Sequence, residues 1–413
     1  MITLFYETLP VAHLSETEPL HLTYDQTWLD RNGAFPLSLT MPLTRDPYPA
    51  GKILPWLANL LPETHLFEIS QRLKISPQDI VGILTHIGRD TAGALSIGVP
   101  REQGTHIQWL NHQSELERII NELPERPFLA GERGVSMSLA GVQDKLPVYS
   151  DQSGRMGIPL DGTPSTHILK PDVKRLYGSV QNEAFCMVLA KLCGLNVANV
   201  QTATAGKRNY LLVERYDRVR DDEGVVHRTH QEDFCQVLQL FPARKYEKAR
   251  IGGQSGPGLR DFFQAVKIHL NPAERLTLLD GVLFNVFICN SDSHAKNYSI
   301  QILAGGHATI APLYDLICAK VYDHVDQHLA QSIAGKVVAE ELYKADWLKL
   351  ATDVELSGST LLKRVSELGQ SVLDHIDEAA AIVGAMPAGR SDVLERVAHD
   401  VSSRTMRILR QLQ

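Results

Sequence analysis

The hydrophobic pattern of this chain changes period at Arg215, and that change limits the folds open to it. Before Arg215, apolar residues alternate in short runs such as Leu146 to Tyr149, Thr166 to Lys170, and the pair Val197 to Thr202 and Tyr210 to Glu214. Such alternation predicts strands with one covered face. Beyond Arg215, apolar residues recur every three or four positions. Helices are predicted over Glu232 to Gln239, Gly258 to Leu270, Pro272 to Asn290, Trp347 to Ala351, Leu361 to Val383 and from Asp392 onward. Strand signals return only at Tyr298 to Leu303 and Ala308 to Ala311, joined by Gly305-Gly306 as a hairpin. A sheet-rich part followed by a helical part, with no internal repeat, predicts an α+β chain of two lobes.

The sheet-rich part divides again. Residues 1 to 100 mix the strands Ile2 to Tyr6 and Leu20 to Tyr24 with a Pro-punctuated loop, Phe35 to Pro49, and a helical stretch from Pro55 to Leu73. They read as an N-terminal α+β subdomain that ends on the two-glycine turn around Gly88 and Gly93. Residues 101 to 216 form the sheet-rich lobe and 217 to 413 the helical lobe. Within the former, Leu116, Ile119, Ile120 and Leu123 mark one face of a helix. Val135 to Leu139 and Leu146 to Tyr149 flank a small-residue turn as strands, and a helix from Gln181 to Cys193 stops at Gly194.

Composition narrows the class of protein. A length of 413 residues allows two or three domains, and 41 Lys plus Arg against 48 Asp plus Glu gives a net charge of -7. That balance argues against a surface that grips nucleic acid as a whole. The opening MITLFYETLP reads as a first strand and not a secretory leader. The most apolar later run, Val282 to Cys289, is far shorter than the ~20 residues that span a bilayer. Five cysteines without a C-x-x-C pair read as buried free thiols of a reducing compartment, so a soluble cytoplasmic protein is expected.

The chemistry concentrates in Cys289-Asn-Ser-Asp-Ser-His-Ala-Lys-Asn-Tyr298, the hairpin after it, and Pro312-Leu-Tyr-Asp315. An acid at Asp292, an amide at Asn297, a hairpin and a second acid at Asp315 are in the order that kinase phosphoryl transfer needs. The first carboxylate accepts the proton of an attacking hydroxyl. The amide oxygen and the second carboxylate are hard ligands suited to Mg²⁺. Taken alone, the segment equally describes a capped turn and an ordinary loop. Upstream, Lys170 on a strand either points its ammonium at ATP phosphates or is an ordinary solvated edge residue. The turn Ser138-Leu-Ala-Gly-Val-Gln-Asp-Lys145 offers backbone N–H groups to them. Glu183 is an ion-pair partner for Lys170 by the same logic, or an exposed acid at a helix N-terminus.

These segments, with Thr166-His-Ile-Leu-Lys, Val213-Glu-Arg-Tyr-Asp-Arg, Gln231-Glu-Asp-Phe-Cys-Gln and Gly88-Arg-Asp-Thr-Ala-Gly-Ala-Leu, closely resemble the HipA family over nearly the whole chain. That family comprises serine/threonine-protein kinase toxins of bacterial type II toxin–antitoxin systems. The resemblance implies a bilobal protein-kinase-like fold of the PI3/4-kinase-like variant, and ATP and Mg²⁺ as cofactors. It makes Asp292 the catalytic base and Asn297 and Asp315 the metal ligands. Lys170, His294 and the turn residues Ala140, Gly141, Val142, Gln143 and Lys145 become nucleotide contacts, with the backbone of Glu214, Arg215 and Tyr216 at the adenine. Ser138 matches the family's autophosphorylation site, with Ser136 as a competitor, and such a phosphate would repel ATP.

The resemblance also implies partners. These are a HipB-like helix-turn-helix antitoxin, operator DNA reached mainly through that antitoxin, and a protein substrate such as glutamyl-tRNA synthetase or another aminoacyl-tRNA synthetase. A homodimer within the toxin–antitoxin complex is compatible with it, and no membrane is. From the residues alone, Arg404, Arg407 and Arg410 read as a DNA-facing stripe or, preferably, a solvated helix face. Arg244 to Arg250 reads as a basic, glycine-flanked loop that meets an acidic substrate or is simply polar. The alternatives are a small-molecule phosphotransferase of kinase-like fold and a non-catalytic pseudokinase co-repressor. A metal hydrolase built on His227 and His230, or on Asp323, His324, Asp326 and His328, is disfavoured because neither set has helical metal-ligand spacing.

Overall fold

The computed structural model describes residues 1–15, 18–141, 143–248 and 254–413. Val142 of the small-residue turn, and Arg250, Gly252 and Gly253 of the basic loop, lie outside the described residues.

At the N-terminus an antiparallel sheet runs in the order Tyr48–Pro49, His21–Tyr24, Leu9–Leu14, Ile2–Tyr6, Leu95–Ile97. Its inward residues Leu4, Val11, Leu22 and Ile97 are fully buried, beside Trp28 and Trp56. The helix expected from Pro55 to Leu73 is two helices, Ala50–Ala58 and Leu66–Leu73. Pro62 has no N–H to give and disfavours helical backbone at Leu61, and His65 turns left-handed at φ +65°. The residues between, 59–65, form a connecting strap that lies against the rest of the protein.

A second antiparallel sheet follows in the order Val200–Ala205, Arg208–Glu214, His167–Pro171, Leu146–Ser150, Met156–Pro159, Ile107–Trp109. Alternation along the central strand puts Leu169 in the apolar cluster shared with the first sheet and turns Lys170 to the other face. On that face lies the helix Ser179–Leu192, buried almost all round, which ends at Gly194 with φ +81°. The strand expected over Val135 to Leu139 does not join the sheet. Val135, Met137 and Leu139 are buried as their alternation requires, but the backbone pairs with the single residue Asp90.

The helical part is built on Leu259–His269, Glu274–Phe287, Lys344–Asp353, Gly358–Ala385 and Asp392–Arg410 around Phe234, Phe262, Phe284, Phe287 and Trp347. It is not purely helical. The expected hairpin, Ser299–Ile302 and Ala308–Ile310, gains a third strand, His230–Asp233, and a further strand pair joins Arg218–Arg220 to Val226–Arg228. The helix expected from Glu232 therefore shrinks to Phe234–Val237, set by a capping box between Asp233 and Gln236. Arg404 does not belong to a surface stripe. It is buried, and its Nε donates to the Val286 carbonyl at 2.8 Å while its other arm pairs with Glu340. The five cysteines are free thiols. Among the described residues no helix is long and apolar enough to cross a membrane.

Candidate active site

Asn290 holds the two acidic loops together. The helix Glu274–Phe287 delivers the chain to Cys289, which takes φ +59°, and Asn290 Nδ2 then donates to Asn285 Oδ1 at 2.8 Å and to the Asp315 carbonyl at 3.0 Å. Its Oδ1 accepts the Asp292 N–H at 3.2 Å. Three bonds close the loop after Asp292. The His294 N–H donates to the Asp292 carbonyl at 2.7 Å, the Asn297 N–H donates to the His294 carbonyl at 2.8 Å, and Asn297 Nδ2 donates to the Asp292 carbonyl at 2.8 Å. This last bond commits the amide nitrogen of Asn297 and leaves its Oδ1 as the atom of the side chain that could hold a cation. Asp315, at φ +53°, is the second non-glycine residue of the pair of loops with left-handed backbone, a strain that clusters at functional sites.

Lys170 connects the sheet to these loops. Its Nζ donates to Glu183 Oε1 at 2.6 Å and pairs with Asp315 Oδ1. Lys170 and Glu183 are both about 5% exposed, so Glu183 is the ion-pair partner and not a solvated helix-start acid. Burial opposes charge on Asp315, but Lys170 and then Lys145 outweigh it and hold the carboxyl down to about 2. Burial raises Glu183, and Lys170 offsets only part of that. Asp292, whose side chain opens to the surface, is raised too, first because the protein around its carboxyl displaces water, with Asp315 and Glu63 adding to it while Tyr246 and Lys245 oppose.

The turn 138–145 sits beside this cluster. Gly141 has φ +113°, a backbone that strains any side-chain-bearing residue, and a Cβ there would also displace Lys145 Nζ, 2.5 Å away. Lys145 Nζ donates to the Ala140 carbonyl at 2.5 Å, and among the described residues it makes no ion pair. Burial lowers it to about 8. Gln143 Nε2 donates to the Pro171 carbonyl at 3.3 Å. Ser138 is fully buried and its Oγ donates to the Leu60 carbonyl at 2.7 Å. Ser136 Oγ donates to the His86 carbonyl at 2.7 Å and accepts the Arg89 N–H at 3.2 Å. His294 is buried, with Nδ1 making no hydrogen bond among the described residues. Burial, then Lys245 and Lys296, keep it neutral.

In the linking segment two backbone donors are already bonded within the protein. The Glu214 N–H is bonded to the Asn199 carbonyl and the Arg215 N–H to the Thr166 carbonyl, both at 2.9 Å. The Arg215 side chain is also spent, in a buried cluster with Asp217, Asp90, Arg218 and Arg228 that ties the Gly88-Arg-Asp-Thr-Ala-Gly turn to Val213-Glu-Arg-Tyr-Asp-Arg. The Tyr216 ring stacks on Tyr314 with centroids 5.9 Å apart.

Sequence reasoning missed Asn59, Glu63 and Lys296, and took Lys245 and Tyr246 only as part of a basic loop, whereas Lys245 is buried against Glu63. Lys296 Nζ is buried against Asp233 Oδ2 at 2.6 Å and Asn59 Oδ1 at 2.7 Å, bracing the loop 292–297 from inside. Tyr246 Oη donates to Asp292 Oδ1 at 2.5 Å. The histidine sets do not converge: His227 pairs with Asp221, while His230 is buried against the Leu37 carbonyl.

These residues fit a nucleotide phosphate with a hard divalent cation. Lys145 is buried and among the described residues lacks an anion in contact, and His294 Nδ1 is an orphaned polar atom; both act on the Asp315 carboxylate. A phosphate chain satisfies both. The Asn297 amide oxygen and the Asp315 carboxylate are the hard oxygen ligands that Mg²⁺ selects.

Comparison with known proteins is consistent across sequence and fold. The family models for the HipA N-terminal domain and the HipA-like C-terminal domain match residues 2–98 and 137–378. The serine/threonine-protein kinase toxin HipA of Shewanella oneidensis is 30% identical over 398 residues, 93% of this chain and 88% of that protein. The protein Y4mE of Sinorhizobium fredii is 36% identical over 367 residues, 86% of this chain and 85% of its own. Among solved structures, a chain of the Shewanella oneidensis complex of HipA, HipB and operator DNA matches with a TM-score of 0.84. The identity is 25%, covering 99% of this chain and 97% of that one.

Proposed function

The chain belongs to the HipA family of toxin kinases and has its kinase-like fold, and on that footing we propose that it phosphorylates a protein serine or threonine with ATP. The observation that carries the reading is Lys170, buried between Glu183 and Asp315, with Asp315 tied through Asn290 to the loop of Asp292 and Asn297. In this proposal residues 1–100 are the N-terminal subdomain, 101–216 the ATP lobe and 217–413 the catalytic lobe.

Asp292 takes the proton of the acceptor hydroxyl as its oxygen attacks the γ-phosphorus, and the bond to the bridging oxygen breaks to release ADP. Its raised pKa suits a base that must hold a proton. Lys170 and Lys145 bind the phosphates, with the backbone of Ala140, Gly141, Val142 and Gln143 around them and His294 as a neutral donor. Asn297 and Asp315 would hold Mg²⁺, which supplies charge neutralisation on the phosphates when bound. Adenine would meet the Glu214 carbonyl, the second lone pair of the Arg215 carbonyl, which already accepts the Arg218 N–H at 3.2 Å, and the Tyr216 backbone, because the Glu214 and Arg215 N–H groups are committed.

Ser138 is the proposed autophosphorylation site. Its hydroxyl points inward to the Leu60 carbonyl, so the turn must leave the strap for the reaction to occur. The product then carries roughly -1.5 to -2 charges that cannot return to face a carbonyl acceptor. Ser138→Glu is therefore expected to weaken ATP binding by about tenfold or more, while Ser138→Ala stays within about twofold of wild type by calorimetry. An unchanged ATP affinity in Ser138→Glu overturns self-inactivation.

The remaining parts of the proposal follow from the family resemblance and, for the antitoxin and operator DNA, from the solved complex of HipA, HipB and operator DNA. They are a cytoplasmic toxin whose substrate is a translation component such as an aminoacyl-tRNA synthetase, glutamyl-tRNA synthetase first among them. A HipB-like antitoxin neutralises it and brings it to operator DNA, within a complex that accommodates a toxin dimer. The net charge of -7 supports DNA binding through that partner. ATP turnover measured against a panel of proteins and of small alcohols tests the substrate class. Turnover stimulated by a protein is expected; stimulation by small alcohols alone identifies a small-molecule phosphotransferase instead.

A further inference from the structure

We propose that Glu63, on the strap of the N-terminal subdomain, is a positioning residue that couples the phosphate turn to the catalytic loop, a role that rests on the kinase reading above. Its backbone N–H donates to the Gly141 carbonyl at 3.3 Å, on the turn. Its Oε2 accepts from Lys245 Nζ at 2.6 Å, and the Lys245 carbonyl in turn accepts the Ala295 N–H at 3.0 Å. Ala295 lies between Asp292 and Asn297. One residue thus reaches the two segments whose relative placement decides whether a phosphate and a base face each other.

The pair is sheltered, with Lys245 and Glu63 side chains 5% and 14% exposed, so solvent screens it little. Glu63 Oε1 is buried and makes no hydrogen bond among the described residues, which leaves Lys245 as the carboxylate's hold on the site. The rest of the strap repeats the arrangement. The Leu60 carbonyl holds Ser138 Oγ, His65 Nε2 pairs with Asp144 Oδ1 at 2.9 Å, and Asn59 holds Lys296 from the other side. The turn is therefore gripped at positions 138, 141 and 144, and the catalytic loop at 295 and 296. A strap that merely linked two helices would not spend its polar atoms in this way. Transfer rates depend steeply on such alignment, so loosening it lowers turnover while leaving nucleotide contacts in place.

The test uses the full chain. Glu63→Gln keeps the size of the side chain and the backbone bond to Gly141 but removes the pair with Lys245. Its kcat is expected to fall about tenfold to a hundredfold with the KM for ATP within about twofold. Glu63→Asp, which keeps the charge, is expected to recover much of the loss. The double variant Glu63→Gln with Lys245→Met should be no slower than Glu63→Gln alone. Hydrogen exchange read in parallel should show faster exchange in both 138–145 and 292–297 in Glu63→Gln. Wild-type kcat in Glu63→Gln, failure of Glu63→Asp to recover activity, or exchange unchanged in either segment overturns the proposal. A wild-type chain that transfers no phosphate sinks the kinase reading instead, and the exchange data still decide whether Glu63 couples the two segments.

Discussion

Asp292→Asn is expected to lower kcat for phosphoryl transfer by roughly 10³-fold, inside the ~10²–10⁴ range for loss of a general base. The substitution is nearly isosteric, and the bonds that shape the loop run through backbone groups of residue 292. The N–H goes to Asn290, and the carbonyl receives the His294 N–H and Asn297 Nδ2. Asparagine Oδ1 can still accept the Tyr246 hydroxyl. Melting temperature and ATP affinity should therefore stay near wild type, and steady-state kinetics with calorimetry check both. A variant that keeps its rate would remove Asp292 from the chemistry and leave the hydrogen-bonded shape of the loop without a catalytic purpose.

The second large effect belongs to Lys170→Met. Methionine fills the space but leaves Glu183 and Asp315 facing each other without the ammonium between them. Loss of a phosphate contact in a desolvated site is expected to lower kcat/KM by about 10²–10³-fold, mainly through the nucleotide. Removing one partner of a buried ion pair also costs about 3–5 kcal/mol of stability. The sign of its pH dependence follows from Asp315. In wild type, burial is outweighed by Lys170 and Lys145, and the pKa of about 2 contributes stability that is present above the unfolded value and lost as pH falls through 2. Without Lys170, burial and Glu183 push Asp315 upward, so the variant loses stability as pH rises. The stability gap between the two proteins should narrow as pH is lowered from 7 toward 4, measured by denaturant unfolding at each pH.

What could be read from the chain depended on how locally each feature is encoded. Asp292, Asn297 and Asp315 are separated only by a hairpin, and Lys170 precedes its partner helix, so order and spacing carry the arrangement. The alternation of Val135, Met137 and Leu139 correctly buries all three, but side-chain period says nothing of which strand the backbone meets, here the lone Asp90. Likewise the i, i+3, i+6 arginines share one side of a helix, yet only packing reveals that Arg404 is locked onto Val286 and Glu340. Glu63 and Lys245 meet across 182 positions, and Lys296 and Asn59 across 237. No periodicity or motif marks either pair, because their meaning is created by the docking of the N-terminal subdomain. Glu183 is buried for another reason: the helix Ser179–Leu192 is packed between the second sheet and the helices Gly358–Ala385 and Asp392–Arg410, so its N-terminal acid is not left to solvent.

The central claim is that this chain phosphorylates a protein through Asp292. The most direct measurement compares the phosphoproteomes of cells expressing wild type and Asp292→Asn at equal level. The account predicts serine or threonine sites present only with wild type, Ser138 of the chain itself and a component of translation among them. Identical phosphoproteomes, with growth equally affected by both proteins, would contradict it.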